Sequence, residues 1–180
     1  NSDVVRPQGF DTLEPLLECP SLTVSLPSAG PHMPQFESRT QLNATPEQVF
    51  EYILQPANLQ AIAPPDTQLI FVDPPRVIEL GSRLTCKVQA YGTVQQLSYE
   101  IVELVAPQRF REQMVNGPLK LWLHDYIIEP DPTGGISLVN RIQFEPPGGL
   151  LGFIVTADKI LDALEDGFHH RRQALQKIFA

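Results

Sequence analysis

The stretch from residue 119 to residue 149, LKLWLHDYIIEPDPTGGISLVNRIQFEPPGG, decides the fold. Trp122, His124 and Tyr126 alternate with Leu121, Leu123 and Asp125, and after a turn Ile136, Leu138, Asn140, Ile142 and Phe144 alternate with Ser137, Val139, Arg141 and Gln143. A period of two belongs to strands with one buried face. The connection Pro130-Asp131-Pro132-Thr133-Gly134 is rich in turn residues and too short for a parallel crossover, so the two strands form an antiparallel hairpin. Pairing Glu129 with Gly135 sets His124 opposite Asn140, Trp122 opposite Ile142 and Tyr126 opposite Leu138. Two polar side chains then meet on an apolar wall, where they bind the polar end of a ligand or satisfy one another.

Upstream, the same alternation recurs in Leu69–Val72, Leu84–Ala90, Val94–Leu104 and Phe110–Val115, each run ended by turn chemistry such as Asp73-Pro74-Pro75 or Asn116-Gly117-Pro118. Phe36, Ser38, Thr40 and Leu42 start the pattern. Thr45-Pro46-Glu47-Gln48 reads as a capping box with proline at the first helical position, and a second short helix is expected around Asn58–Ile62. In the last ~30 residues the period changes, with Leu161, Leu164, Phe168, Leu175 and Phe179 forming the stripe of an amphipathic helix about four turns or longer. The order β-α-α-β(five or six)-α is an α+β arrangement in which the terminal helix covers the concave face of a curved antiparallel sheet.

Residues 1–34 form a separate segment. Pro7, Pro15, Pro20, Pro27, Pro31 and Pro34 exclude a regular helix or central strand there, yet Phe10, Leu13, Leu16, Leu17, Leu22, Val24 and Leu26 give it apolar content. It reads as an extended arm lying over Leu121 and Leu123 on the convex face, or exchanged between the subunits of a homodimer.

The element order resembles that of the START-like superfamily, also called SRPBCC, the helix-grip fold of polyketide cyclases, coenzyme-Q-binding proteins and lipid-transfer domains. The similarity covers about Pro34 to Ala180. It is carried by Phe36-Glu37-Ser38 with Ala44-Thr45-Pro46-Glu47-Gln48-Val49-Phe50, by Gly117-Pro118 with Trp122-x-His124, and by Pro146-x-Gly148 with Phe168-x-x-Arg171. These look like a bacterial branch linked to epimerase-like and cell-division-inhibitor-like proteins, which carries an acidic residue where this chain has Asn140. The resemblance implies a cavity between sheet and terminal helix. Residues 35–180 are thereby expected to be a ligand-binding domain with Trp122, His124, Tyr126, Leu138, Asn140, Ile142, Leu164 and Phe168 around a hydrophobic or amphipathic small molecule of the polyketide, quinone or lipid class. Two alternatives stand beside this: a cyclase or aromatase using Tyr126, His124 and Arg141 or Arg111, and a protein-interaction module with a filled pocket.

Other chemistries are disfavoured. A formal charge of -8 argues against nucleic acid or an anionic membrane as partner, and no run approaches the ~18 to 20 apolar residues of a membrane span. The expected location is the cytoplasm, with Cys19 and Cys86 as unpaired thiols. His169-His170, with Glu165 and Asp166 one turn earlier, cannot converge on one ion because adjacent helical side chains point apart. No phosphate loop, nucleophile elbow or H-E-x-x-H motif is present, so neither cofactor nor metal is expected.

Overall fold

The structure, a computed structural model, describes residues 33–90 and 92–180. The arm of residues 1–34, and with it the expectation that it covers the convex face, lies almost wholly outside the described residues.

Strand β1 (Gln35–Leu42) buries every second residue, from Phe36 to Leu42. Helix α1 (Pro46–Ile53) opens on the expected capping box: the Gln48 amide donates to Thr45 Oγ1 at 3.3 Å and Gln48 Oε1 accepts from the Thr45 amide at 2.9 Å. Helix α2 (Pro56–Ala61) follows, and then strands β2 (Ile70–Val72), β3 (Arg83–Ala90), β4 (Thr93–Val105), β5 (Arg109–Asn116), β6 (Leu121–Pro130) and β7 (Ile136–Glu145). A short helix α3 (Gly149–Ile154), absent from the sequence reading, precedes the 22-residue helix α4 (Ala157–Ile178), which Thr156 caps.

All seven strands form one antiparallel sheet in the order β1-β7-β6-β5-β4-β3-β2, so the five sequence-adjacent pairs from β2 to β7 are neighbours in space and β1 closes against β7. The helix-grip expectation holds. No helix among the described residues is long and apolar enough to cross a membrane. Two apolar clusters fill the concave side. One gathers Val49, Phe50 and Ile53 of α1 with Phe110, Tyr126, Leu138 and Leu175; the other joins Phe36, Ile142 and Phe144 to Val155, Ile160 and Phe168.

The opposite face carries ion pairs. Arg111 holds Asp125 through two contacts of 2.6 and 3.0 Å, Arg141 holds Glu37 at 2.9 and 3.0 Å, and Arg39 links Glu37 to Glu129. Such half-exposed pairs contribute about 0–1 kcal/mol each. They also remove Arg111 and Arg141 from the concave wall, so neither can polarise a carbonyl there as the cyclase alternative supposed.

The β6–β7 register differs from the expected one by two residues. Pro130 pairs with Ile136, which sets Tyr126 opposite Asn140, His124 opposite Ile142, Trp122 opposite Phe144 and Ile128 opposite Leu138. The turn is built from residues 131–135 rather than 130–134. Asp131 and Gly135 bond across it, Gly134 and Gly135 have φ of +104° and +74°, and a side chain at 135 would strike the Leu42 carbonyl. A shift of two keeps each residue on its face, so the inward set survives the change.

Asp131 locks this turn. Its carboxylate accepts from the Thr133 hydroxyl and amide, the Ser137 hydroxyl and Gln41, which holds its pKa at about 2, against an ordinary 3.8. A depressed carboxylate pKa contributes stability that is complete above the unfolded value and is lost as pH falls through the folded one. Asp131→Ala should therefore lower Tm at neutral pH, and the gap to wild type should close as pH falls from 3.8 towards about 2. A gap that is constant in pH would assign the loss to something other than the carboxylate.

Candidate functional site

Alternation along β6 carries Trp122, His124 and Tyr126 onto the concave wall beneath α4. His124 is 2% exposed, with both ring nitrogens bonded: Nδ1 lies 3.0 Å from Glu112 Oε1 on β5 and Nε2 lies 3.0 Å from Asn140 Oδ1 on β7. The contact to Asn140 is diagonal, one step from the cross-strand pair. With the amide oxygen facing Nε2, that nitrogen donates to Asn140; with the amide turned, its NH2 donates to Nε2 and Nδ1 donates to Glu112. Either arrangement satisfies all three groups inside an apolar wall.

Aromatic rings bracket this chain. Tyr126 stacks on His124 with centroids 3.9 Å apart and on Phe110 at 4.2 Å, Trp122 meets His124 edge-on at 6.4 Å, and Phe168 of α4 meets it edge-on at 5.8 Å. Arg171, one turn beyond Phe168 on the same helix stripe, lies over the Phe168 ring at 5.2 Å and faces the Tyr126 hydroxyl. Burial, and secondarily the Glu112 charge, pushes the phenols of Tyr126 and Tyr99 far up, so both remain hydrogen-bond donors at any physiological pH. Ser38, opposite Asn140 on β1, accepts from Arg172 at 3.4 Å. Among the described residues, two buried side-chain nitrogens lack a hydrogen-bond partner: Trp122 Nε1 and Arg172 Nε.

The structure thus places Trp122, His124, Tyr126, Asn140, Ile142 and Phe168 around one region of the concave side, with Leu138 in the apolar cluster of Tyr126 and Leu164 packed against the cluster of Trp122. The sequence reading missed Glu112. Parity could have found it, since Phe110, Glu112 and Met114 alternate with Arg111, Gln113 and Val115, and an inward Phe110 brings Glu112 inward too. His169 bonds Gln173 on the exposed side of α4, and no cluster of three metal-ligating side chains occurs among the described residues. Cys86 is buried, and burial followed by the Glu112 charge pushes its pKa up to about 12.

Removing one member of a buried pair leaves the other uncompensated, at about 3–5 kcal/mol. Glu112→Leu and His124→Leu should each destabilise by about that much in urea unfolding, and the double variant should be less destabilised than their sum by about 1–3 kcal/mol. Additivity would show that the two side chains are not coupled. Cys86 should resist iodoacetamide at pH 8 in the folded protein and react on denaturation, as mass mapping of its peptide would record.

The comparisons agree with this geometry. A search of curated proteins gives no match. Among solved structures, a protein from Chromobacterium violaceum is 16% identical with a TM-score of 0.62, covering 81% of this chain and 96% of its own. The di-domain ARO/CYC StfQ from the steffimycin biosynthetic pathway is 13% identical with a TM-score of 0.63, over 82% of this chain and 50% of its own. Major latex-like protein 151 of Panax ginseng is 12% identical with a TM-score of 0.56, over 81% of this chain and 97% of its own. At such identities the likeness is one of fold. The sequence itself matches the family model described as polyketide cyclase / dehydrase and lipid transport over residues 33–175, and the chain belongs to that family.

Proposed function

We propose that the protein binds a small hydrophobic or amphipathic molecule, of the polyketide, quinone or lipid class, between the sheet and α4, and that Trp122, His124, Tyr126 and Asn140 engage its polar end. The observation that carries this is the buried indole N–H of Trp122, unpartnered beside the polar chain Glu112–His124–Asn140 in an otherwise apolar wall. A buried donor without a partner costs about 1–3 kcal/mol, which a ligand carbonyl or hydroxyl oxygen would recover. Ile142, Leu164 and Phe168 supply the apolar contacts, and the high-pKa phenol of Tyr126 adds a second donor. In this reading the protein works in the cytoplasm, where its thiols stay reduced.

A second reading rests on the Glu112–His124 pair. A histidine oriented by a carboxylate is the arrangement of a general base, and cyclase or aromatase chemistry needs one proton mover at an enolisable carbon. For that, Nε2 must exchange Asn140 for substrate. Turnover of a poly-β-keto thioester, abolished in His124→Ala, would establish it; binding without turnover leaves the carrier reading.

Trp122 is the single tryptophan, so its emission reports on the site alone. Titration with polyketides, quinones and fatty acids should shift or quench it saturably for at least one class, and Leu164→Trp or Phe168→Trp should fill the space and abolish binding measured by calorimetry without unfolding. His124→Ala and Asn140→Ala should weaken ligands with polar heads by about 1–2 kcal/mol and leave purely apolar ones nearly unchanged. No saturable response across the panel would refute the reading.

A further inference from the structure

Helix α3 gathers the densest run of exposed large apolar side chains among the described residues. Leu150 is 86% exposed, Phe153 82%, Ile154 57% and Leu151 45%, four large apolar side chains within five residues. Neighbouring apolar side chains exposed to this degree mark a contact with a protein or a membrane. The backbone is shaped for it: Gly149 has φ +62°, and any Cβ at Gly152 would lie 2.5 Å from the Pro147 carbonyl oxygen. Residues 146–157, PPGGLLGFIVTA, contain no charge. Of the charges at its edge, Lys120 pairs with Glu145 at 2.8 Å and Lys159 Nζ donates to the Ile154 carbonyl at 3.0 Å, while Asp158 is exposed in the first turn of α4. An uncharged apolar tip on a chain of net charge -8 is matched to a neutral lipid surface and mismatched to an anionic one. Immediately beyond the tip, Val155 and Ile160 are buried in the cluster that holds Phe168 and contacts Trp122 and Leu164.

We propose that α3 is a bilayer-contact element: Leu150, Leu151, Phe153 and Ile154 enter the interface of a zwitterionic membrane and set the concave side beside the lipid phase, from which its ligand is drawn. The proposal rests on the ligand-binding reading for its purpose, though not for the docking itself. Because Leu150 and Phe153 have almost all their surface free, replacing them with Asp should leave the fold intact.

The test is flotation of the full chain with phosphatidylcholine vesicles. The protein should float, insensitively to salt, and Leu150→Asp/Phe153→Asp should reduce the bound fraction tenfold or more, with Leu150→Ser/Phe153→Ser intermediate. Failure to float with phosphatidylcholine, or floating only with anionic vesicles and release by salt, would overturn the proposal. So would a dimer in solution that the Asp variant dissociates, since the tip would then be a contact between copies. Calorimetry with a water-soluble short-chain fatty acid, without vesicles, separates the two readings. Equal affinity in both proteins supports a docking role, and loss in the Asp variant would make α3 part of the binding site and overturn it. Vesicle binding without any fatty-acid binding would support docking and remove the ligand reading.

Discussion

The diagonal hydrogen bond between His124 and Asn140 depends on closing the β6–β7 hairpin at residues 131–135, and much of the concave side follows from that closure. Asp131 and the two left-handed glycines set Pro130 against Ile136. That register carries His124 to a point where one nitrogen reaches across to β7 and the other to Glu112 on β5. Three strands are thereby tied together in their middle by side chains as well as by backbone. Tyr126 then stacks between His124 and Phe110, and Phe168 of α4 closes on the histidine from the helix side. An apolar core of the same volume could be as stable. The polar chain adds a directional feature to a surface that would otherwise be indifferent to what it touches.

Much of this was legible in the sequence because parity is a robust signal. Trp122, His124, Tyr126, Leu138, Asn140 and Ile142 fall on one face under any even shift of register, so an error of two residues changed partners without changing sides. Thr45 and Gln48 announced the first helix through their capping chemistry. The turn itself was misread by one residue at each end, because Pro130 can end a strand as well as start a turn, and only the carboxylate contacts of Asp131 decide between them. Glu112 was passed over because a glutamate within a strand ordinarily marks the solvent side. Parity with Phe110 turns it inward, and His124 directly opposite, a partner from a distant segment, satisfies it there. Helix α3 gave no amphipathic period to detect, since its apolar residues are exposed.

The distribution of charge separates the two faces by function. The convex face satisfies its arginines and carboxylates pairwise in contact with water, at small energetic gain, and keeps the sheet soluble on that side. Among the described residues the buried side-chain nitrogens and oxygens are hydrogen-bonded except Trp122 Nε1 and Arg172 Nε, and burial keeps the phenols of Tyr99 and Tyr126 protonated. Donors of this kind suit a neutral, oxygen-bearing molecule with an apolar body. The chain's family is described as polyketide cyclase / dehydrase and lipid transport, and here a carboxylate, Glu112, lies beside the histidine.

The most direct measurement is a crystal structure of the protein with the molecule it retains through gentle purification. Electron density is expected between the sheet and α4, with a ligand oxygen within hydrogen-bond distance of Trp122 Nε1 and apolar atoms against Ile142, Leu164 and Phe168. Density for a ligand elsewhere, or a concave side filled by its own side chains with Trp122 Nε1 bonded within the protein, would contradict it.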